Sequence, residues 1–588
     1  MILVIIVTYN GLEWIEGLLQ PFVCDREGLD IAIVDNASTD GTPQIVLKGY
    51  PFVRIIQRHS NLGFGAANNI LLEEAISKDY SGVFLLNQDA SISATSIRAL
   101  ADFADTHSEV GILSPTHLDK QGNVEAGFAH YLPRMPQSSF TEVPFINAAL
   151  WYLPRRTLIK VGTFSPLFYH YGEDLDYAHR VQAEGLKVGY LPSITAFHFR
   201  EMGTLSLEKS LQLKQAYHLA EAINPLYSPL KRFFRGFVMP FGEAIKAPLS
   251  LANCYLKMLG CLWSLRPIMR LWMNRPAVNV TGLKRTMSQQ EQAPVLLFVY
   301  NRPQHTRRIF EQLLRQPEIE STHIYIWSDG PKGNQDSDAV QEVRAICRSL
   351  LPQATLHEQI SNVGLANNVV EGVSTILKTH TRVIVLEDDL ILSPYFLRWM
   401  NDTLNCYENN PEIAHIHAGT FYTSSTLKNN HLLHFAGSWG WATWQDRWKE
   451  LWEPNGQKLL DELMAKPDVR RQFNYYGYMD FTRMLRQQVE GLNNSWAVRW
   501  HASLVLHHRL SVSCNPPLVA NRGFDNSGTH SGGGGRYNTP VAPFPIYAEP
   551  ITSPTESKTA RHILTAYYRR TNNKLAKAWY KLREILTR

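Results

Sequence analysis

Acidic residues end short apolar runs at four places in the chain. Asp35 and Asp89 follow such runs in the first half, and Asp329 and Glu387-Asp388-Asp389 follow them in the second. Three adjacent carboxylates repel one another unless a cation neutralises them. Their hard oxygen atoms suit Mg²⁺ or Mn²⁺ held jointly with the phosphates of a substrate. The first half keeps only Asp89 of this triplet, so we expect its metal site to be weaker or absent.

These acids recur because the chain contains a repeat. The matching pairs are Tyr9 with Tyr300, Asp35 with Asp329, Asn61 with Asn362, and Asp89 with Asp389. Their separations of 291, 294, 301 and 300 positions are nearly constant, which indicates two copies of one folding unit. A chain of 588 residues also exceeds what one hydrophobic core normally organises. We therefore predict two domains, each with its own acidic site.

Each half alternates Ile- and Val-rich apolar runs with longer helical stretches. This alternation is typical of parallel strands that helices cover on both faces, so the predicted fold class is α/β. Polar residues follow the runs directly, where open α/β sheets bind ligands beyond the carboxyl ends of their strands. The residues in those positions are Thr8, Tyr9, Asn10, Asn36, Asn87, Tyr300 and Asn301.

Two interpretations of Asp35 and Asp329 remain open at this point. Each carboxylate could accept hydrogen bonds from a nucleobase or a ribose, or it could be a turn aspartate that caps the next helix. The second acidic cluster on the same predicted sheet edge favours ligand binding.

Bulk composition excludes several classes of protein. A chain with 44% apolar residues, 19% charged residues and a net charge of +5 is typical of a globular protein and gives no indication of nucleic-acid binding. Its six cysteines lack the spacing of a zinc site or a disulfide framework, which fits a reducing cytoplasm. The apolar start, Met1 to Val7, has no basic segment before it, so we interpret it as a strand. We expect no membrane span, because no uncharged apolar run reaches roughly 18 residues.

Two further segments are basic and amphipathic. Residues 205–292 predict helices in which aromatic residues alternate with basic ones. The basic residues are Lys231, Arg232, Arg235, Lys246, Lys257, Arg266, Arg270, Arg275, Lys284 and Arg285. Residues 536–588 predict a proline-containing linker followed by a basic helix. Either segment could lie on an anionic membrane surface; a solvated spacer and docking on the protein body are the alternatives.

The motifs resemble those of GT-A glycosyltransferases, which implies a Rossmann-like, nucleotide-sugar-binding fold in each half. The first half resembles family 2 enzymes of the rhamnosyltransferase type, in Val7-Thr8-Tyr9-Asn10, Asn61-Leu62-Gly63-Phe64-Gly65, Leu86-Asn87-Gln88-Asp89 and Gly172-Glu173-Asp174. The second half resembles a bacterial sugar-transferase group whose Glu-Asp-Asp motif is similar to that of N-acetylglucosaminyltransferase I. We predict GT-A domains at 1–204 and 293–535, with a helical linker at 205–292.

The resemblance implies a role for each candidate residue. Donor binding falls to Thr8, Tyr9, Asn10, Asp35, Asn36, Asn61, Gly63 and Asn87 in the first copy. In the second copy it falls to Tyr300, Asn301, Asp329, Asn362, Gly364, Glu387 and Asp388. A metal, Mn²⁺ or Mg²⁺, would be held by Asp89 and Asp389, with His198 and His530 completing the sites. A lone histidine between phenylalanines is as often a core residue, so His198 stays open.

The catalytic base is assigned in the first copy alone. The resemblance implies Asp174, beside Glu173, although both acids also suit a helix N-terminus. The second copy shows no Glu-Asp pair, and Asp446, Asp480 and His501 are its candidates. Four tryptophans between Trp439 and Trp448 could form a platform for a sugar or pack in the core.

The resulting hypothesis is a bifunctional glycosyltransferase of bacterial surface-polysaccharide synthesis, of the O-antigen (lipopolysaccharide) or capsule type. It would be cytoplasmic, peripheral at the inner face of the membrane, and would use nucleotide-sugar donors and a glycan or polyprenyl-diphosphate-linked acceptor. The alternative is a single activity in which one copy is a non-catalytic binding module. A dinucleotide oxidoreductase is disfavoured because Gly63-Phe64-Gly65 does not follow the first strand.

Overall fold

The structure, a computed structural model, describes residues 1–133, 139–199, 206–246, 249–287, 291–523 and 539–571. The chain divides into two compact units, Met1–Met287 and Ser288–Arg588, called unit 1 and unit 2 below. Among the described helices, none is both long and apolar enough to cross a bilayer.

Unit 1 is built on one mixed sheet. Its strands are β1 Ile2–Thr8, β2 Leu29–Asp35, β3 Arg54–Gln57, β4 Gly82–Asn87, β5 Ala90–Ser91, β6 Val110–Leu118, β7 Thr141–Glu142, β8 Leu150–Pro154 and β9 Lys187–His198. Their order is β3-β2-β1-β4-β8-β6-β9-β5, and β7 pairs with β9. Strands β1, β2, β3 and β4 run parallel, so their carboxyl ends lie at one edge of the sheet.

Helices surround this sheet, and further helices follow it in the chain. They are α1 Ile15–Leu19, α2 Thr42–Gly49, α3 Phe64–Ser77, α4 Ala94–Thr106, α5 Ala126–Ala129, α6 Arg155–Val161, α7 Glu173–Ala183, α8 Leu207–Ile223, α9 Pro229–Phe233, α10 Met239–Lys246, α11 Leu249–Met273 and α12 Val280–Met287. Residues Leu3 to Ile6 of β1 are fully buried, as expected for a parallel strand covered on both faces.

Helices α8 to α12 cover most of the segment predicted as a linker, and they belong to unit 1. Lys284 on α12 forms an ion pair with Asp79 at 2.5 Å. Arg235, between α9 and α10, forms one with Glu221 on α8 at 2.6 Å. These helices are therefore part of the folded body of the first unit.

Unit 2 repeats the same topology. Its strands are β10 Val295–Val299, β11 Ile324–Ser328, β12 Thr355–Glu358, β13 Arg382–Glu387, β14 Leu390–Leu392, β15 Ile413–His417, β16 Asn430–Leu433, β17 Trp441–Trp444, β18 Leu510–Cys514 and β19 Val519–Asn521. The main sheet has the order β12-β11-β10-β13-β17-β15-β18-β16, whose first seven positions match β3-β2-β1-β4-β8-β6-β9. The predicted α/β class, with two sheets of one topology, is confirmed.

The helices of unit 2 are α13 Pro303–Leu314, α14 Asn334–Leu350, α15 Leu365–Ile376, α16 Phe396–Tyr407, α17 Gln445–Leu451, α18 Gly456–Ala465, α19 Pro467–Phe473, α20 Phe481–Val489, α21 Trp496–Leu506 and α22 Lys558–Thr571. Helix α21 precedes β18 as α7 precedes β9, and both helices have 11 residues. This match relates the residues of α7 to those of α21.

Candidate functional site

The loops after β1 and β2 of unit 1 are tied together. Asp35, which is 1% exposed, accepts hydrogen bonds from the Thr8 hydroxyl at 2.9 Å and from the backbone N–H of Ser38 at 3.0 Å. Asn10 donates its backbone N–H to the Ser38 hydroxyl and accepts one from the backbone of Thr39. The carboxylate of Asp35 thus stabilises a turn, and the turn interpretation accounts for its contacts.

The loop before α3 is held by two asparagines. Asn36 Oδ1 accepts the backbone N–H of Leu62 at 3.2 Å, and Asn61 Oδ1 accepts that of Gly63 at 2.8 Å. Gly63 has φ +81°, and a Cβ atom there would lie 2.0 Å from the carbonyl oxygen of Tyr169. Glycine is therefore required, both for the left-handed backbone and for the close approach of a second loop.

A cavity of about 800 Å³ opens at this edge of the sheet. Its volume suits a small-molecule ligand. The predicted residues that line it are Tyr9, Asn36, Asn61, Gly63, Asn87 and Asp89. Gln88, from the motif that also contains Asn87 and Asp89, lines it too. The sequence pattern missed the loop from Leu167 to Tyr171, and Gln212 and Gln215 of α8, which complete the wall. Helix α8 escaped notice because the repeat ends before it.

His198 lies between two carboxylates. Strand β9 pairs with β5, which puts His198 opposite Ala90 and beside Asp89. Its Nε2 is 3.7 Å from Asp89 Oδ1, and its Nδ1 is 3.9 Å from Glu125 Oε2. Glu125 is buried, and its close approach to His198 is the main cause that lowers its pKa to about 2. Backbone N–H groups of Gly127 and Phe128 lower it further.

The donor set of unit 1 fits a divalent cation. Asp89 offers a carboxylate at the cavity, and His198 offers an imidazole nitrogen beside it, a pair that suits Mn²⁺. His117, Glu125 and His198 also bring one ligand atom each to within 4.8 Å of one another. Burial lowers the pKa of His117 to about 3, so this imidazole is neutral. The spacing of the sequence does not predict Glu125 or His117 as part of this cluster, because only the fold brings them close to His198.

Helix α7 presents the predicted base. It begins after Gly172, whose φ is +85°. Glu173 is buried, and burial together with the neighbouring Asp174 raises its pKa to about 8. Asp174 is half-exposed, whereas Asp176 is buried in an ion pair with Arg180 at 2.8 Å. Of these three acids, Asp174 is the most exposed to solvent, although it does not itself line the cavity described above.

Asp329 of unit 2 holds the corresponding loop. It accepts hydrogen bonds from the backbone of Val363 at 2.9 Å and Gly364 at 3.1 Å, and from the side chain of Asn362 at 2.8 Å. The backbone N–H of Arg58 donates to the carbonyl of Asp35 in unit 1, and that of Gln359 donates to the carbonyl of Ser328 in unit 2. These equivalent bonds show that Ser328 corresponds to Asp35. Asp329 therefore occupies the position of Asn36, one residue beyond the predicted match with Asp35.

The first polar residues of unit 2 follow β10. The Tyr300 hydroxyl donates to Asp336, and Asn301 is half-buried. Gly364 has φ +81°, the same backbone conformation as Gly63. The loops before α3 and α15 thus have the same backbone turn at this glycine.

A protein cation neutralises part of the acidic triplet. Arg302 donates to Asp388 and, at 3.2 Å, to Asp389 Oδ2. Burial is the main cause that raises the pKa of Glu387 to about 8 and that of Asp388 to about 6, with Arg302 opposing both shifts. The repulsion that predicted a metal is therefore relieved by a guanidinium. As arranged, these carboxylates do not fit a metal ion unless Arg302 moves.

Asn521 takes the place of His198 in unit 2. It pairs with Leu390 as His198 pairs with Ala90, and its side-chain amide donates to Asp389 at 3.2 Å. His530, the predicted ligand, lies outside the described residues.

The structure brings none of the three candidate bases to the triplet. Asp446 follows β17, whose end pairs with Arg382 at the opposite edge of the sheet. Asp480 caps α20 through the backbone of Arg483. His501 is buried, with its pKa lowered to about 4 by burial.

The helix match places Trp496 and Ala497 where unit 1 has Glu173 and Asp174. Trp496 is buried and stacks on Trp441 at 4.8 Å between ring centroids. Trp441, Trp444 and Trp448 are all buried, so these three tryptophans pack in the core.

Residues 3–161 match the family model "Glycosyl transferase family 2". The protein is a glycosyltransferase. A similar protein supports this assignment. The present glycosyltransferase is 26% identical over 235 residues to an N-acetylglucosaminyl-diphospho-decaprenol L-rhamnosyltransferase of Mycobacterium tuberculosis, and the match covers 34% of this chain and 76% of that one. The low-salt glycan biosynthesis hexosyltransferase Agl10 of Haloferax volcanii is 22% identical over 223 residues, covering 36% and 71%.

Solved structures align with about half of this glycosyltransferase. TarS of S. aureus, in complex with UDP-GlcNAc, is 19% identical, covers 49% of this chain and 91% of its own, and has a TM-score of 0.32. The mannosyltransferase PcManGT of Pyrobaculum calidifontis, in complex with GDP-Man and Mn²⁺, is 18% identical, covers 46% and 71%, and has a TM-score of 0.28.

Proposed function

We propose that both units transfer sugars from nucleoside-diphosphate donors, in succession, onto a growing bacterial surface polysaccharide of the O-antigen or capsule type. The acceptor is a glycan carried on a polyprenyl diphosphate, a class named for the mycobacterial relative. The observation that carries the proposal is the 800 Å³ cavity of unit 1, where polar residues from three strand ends and Asp89 converge.

In unit 1 the donor lies along the edge formed by β1, β2 and β4. Tyr9, Asn36 and Asn61 offer hydrogen-bonding groups to the nucleoside, and the tied loops keep these groups in place before the donor binds. Asp89 and His198 are the residues that would hold Mn²⁺ or Mg²⁺. When bound, the ion neutralises charge that develops on the leaving diphosphate.

Asp174 is the base of unit 1 in this proposal. The acceptor hydroxyl oxygen forms a bond to the anomeric carbon on the face opposite the diphosphate. The bond from that carbon to the phosphate oxygen breaks, and the diphosphate leaves with the electron pair. The acceptor proton passes to the Asp174 carboxylate, so one displacement inverts the configuration. Glu173, with its pKa raised, stays protonated at neutral pH and leaves this role to Asp174.

Unit 2 supports the same reaction with a different charge arrangement. Arg302 supplies a positive charge beside Asp388 and Asp389, at the position where a donor diphosphate would lie. The competing candidate is a single activity, in which unit 2 only binds a nucleotide or a glycan. Trp496 and Ala497, at the place of the acid pair in unit 1, favour that candidate.

The proposed acceptor places the enzyme at the cytoplasmic face of the membrane. Helices α8 to α11 expose large apolar side chains, among them Leu230 at 83% and Trp263 at 57%. Arg266 lies over the Trp263 ring at 4.0 Å. Exposed aromatic residues beside basic ones suit the headgroup region of an anionic membrane.

Calorimetry with nucleoside diphosphates and nucleotide sugars, with and without Mn²⁺, tests the proposal. We would compare wild type with Asp89→Ala and Asp389→Ala, and analyse products on a lipid-linked acceptor. Two binding sites, each lost with its own substitution, together with two successive sugar additions, are expected. One addition that only Asp89→Ala abolishes would favour the single activity, and no nucleotide binding would refute both.

A further inference from the structure

Unit 1 contains a second cavity, of about 350 Å³, on the other side of α7 from Asp174. Its walls come from α6, α7, the turn after α8 and the segment from Trp272 to Val278. Four cationic side chains line it: Lys160, Arg180, Arg232 and Arg275. The acidic side chains in the wall are Asp176 and Glu184. The lining therefore carries two more positive than negative charges.

The four cations differ in how their charge is compensated. Arg180 is fully engaged, with Asp176 at 2.8 Å and the carbonyl oxygens of Val161 and Thr163. Asp176 is thereby occupied as well. Lys160 is exposed at the rim.

Arg275 is held by an aromatic ring and a carbonyl oxygen, and not by a carboxylate in contact. Its guanidinium lies 4.4 Å from the centre of the Trp272 ring and donates to the Trp272 carbonyl at 3.1 Å. Within the described part of the chain it forms no ion pair. Burial, and then repulsion by Arg180, lower its pKa to about 10, and the more distant carboxylates of Asp176 and Glu184 offset only part of this shift. A partly buried guanidinium without a counter-ion in contact is costly, and an anion in the cavity would reduce that cost.

The rim of this cavity joins the apolar surface of the helices. Arg232 donates to the carbonyl of Asn224 at 2.8 Å, and its Nη1 is 3.4 Å from the sulfur of Met273. Leu226 and Phe233, close to Arg232 in the chain, are 50% and 47% exposed. A ligand with an anionic head and an apolar tail could therefore place each part against a matching surface.

We propose that this cavity binds a lipid-borne phosphate group, with Arg275 at its base and Arg232 and Lys160 at its rim. Arginine presents several N–H donors in a planar fork that matches phosphate oxygens, and such charge-assisted bonds are strong. The site rests on the membrane contact of the proposed function and refines it, because it turns a diffuse basic surface into a specific one. It differs from the donor site, which opens at the strand ends.

Vesicle flotation of the full-length protein tests the site. The vesicles contain phosphatidylcholine with phosphatidylglycerol. Arg275→Gln is compared with Arg270→Gln, a matched control that removes the same charge from the exposed part of α11 outside the cavity. Arg275→Gln should weaken binding about tenfold or more, as expected for the loss of a charged hydrogen bond. At high salt the variant should still bind more weakly than wild type. Arg270→Gln should weaken binding at most about fivefold, and high salt should abolish the difference.

Equal losses in the two variants, with equal salt dependence, both on phosphatidylglycerol vesicles and on vesicles carrying a polyprenyl diphosphate, would overturn the site and leave general membrane contact intact. Absence of flotation by wild type would overturn both. Because Arg275 also stacks on Trp272, Lys160→Gln provides a second variant at an exposed position, and it too should lose more than the control.

Two vesicle preparations separate the sources of phosphate. Arg275→Gln should lose affinity for phosphatidylglycerol vesicles if the ligand is a membrane phospholipid. It should lose affinity only for phosphatidylcholine vesicles carrying a polyprenyl diphosphate if the ligand is the acceptor. Donor hydrolysis by unit 1 in the absence of acceptor should stay unchanged in Arg275→Gln. Absence of donor hydrolysis in the wild-type protein would count against the proposed function and not against this cavity.

Discussion

The two units place different residues at the same point of the same sheet. In unit 1, Gly11 leaves room for Gln88, whose side-chain oxygen accepts the backbone N–H of Tyr9 at 2.9 Å. A Cβ atom at Gly11 would lie 2.5 Å from that oxygen. In unit 2 the matching positions hold Arg302 and Asp388, which form an ion pair. Both positions differ together between the units: unit 1 has a neutral amide contact where unit 2 has an ion pair.

This difference at two contacting positions shows how one fold supports two charge arrangements. Among the described residues of unit 1, no lysine or arginine forms an ion pair with Asp89, and the pair of Asp89 and His198 suits a metal ion. Unit 2 has a guanidinium beside its carboxylates and Asn521 in place of the histidine. The acid count of the sequence favoured a stronger metal site in unit 2, whereas the contacts favour unit 1.

The largest effect should come from the base of unit 1. Asp174→Asn should lower transfer by unit 1 about 10²- to 10⁴-fold, because a general base contributes on that scale. Transfer by unit 2, which has Ala497 at this position, should not change. Single-turnover assays with one donor at a time check this, and an equal fall in both activities would break the comparison.

Loss of Arg302 should destabilise unit 2. Arg302→Gln leaves Asp388 buried without its partner, a situation that costs about 3–5 kcal/mol in buried ion pairs. Thermal or urea unfolding would measure the cost. The control Arg302→Gln with Asp388→Asn removes both charges and should recover most of the stability. Added Mn²⁺ should stabilise Arg302→Gln more than wild type if the two cations compete for one place.

Glu125 should tune the cation affinity of unit 1 through His198. A carboxylate beside the second nitrogen of a ligand histidine fixes the orientation of the ring, and its removal typically costs 10- to 100-fold in metal affinity. Glu125→Gln should therefore weaken Mn²⁺ binding by about tenfold, as measured by electron paramagnetic resonance of free Mn²⁺. Glu109→Gln, at an exposed position, is the control. Unchanged affinity would remove His198 from the ligand set.

The smallest effect concerns pH. The folded state raises the pKa of Glu173 above its ordinary value of 4.5, to about 8, so Glu173 binds a proton more tightly folded than unfolded. Its contribution to stability is present below about pH 4.5 and is lost as the pH rises towards 8. Glu173→Gln should therefore flatten the fall in unfolding free energy over this range. Parallel curves for wild type and variant would contradict the shift.

Local patterns in the sequence predicted most of the fold. Apolar runs followed by Thr8, Asp35 and Asn87 sit on parallel strands, as the pattern indicated, and the α/β class and the enzyme class are confirmed. Asp329 was matched with Asp35, one residue before its true counterpart Asn36, because sequence identity, and not strand register, guided the match. Asn36 and Asp329 make the same loop contact with different side chains.

The rest of the site depends on contacts between distant segments. Glu125 reaches His198 across 73 positions of chain, and Arg302 reaches Asp388 across 86. No periodicity carries that information. Arg302 was visible in the sequence, but its charge could be assigned to the triplet only after the loop after β10 was seen beside β13.

Helix α8 lines the donor cavity of unit 1 through Gln212 and Gln215, although the repeated motifs end before it. Cutting the chain at residue 204 would therefore leave this cavity of unit 1 without one of its walls. Any attempt to separate the two halves, or to exchange them between related enzymes, should therefore keep residues 1 to 287 together as one segment.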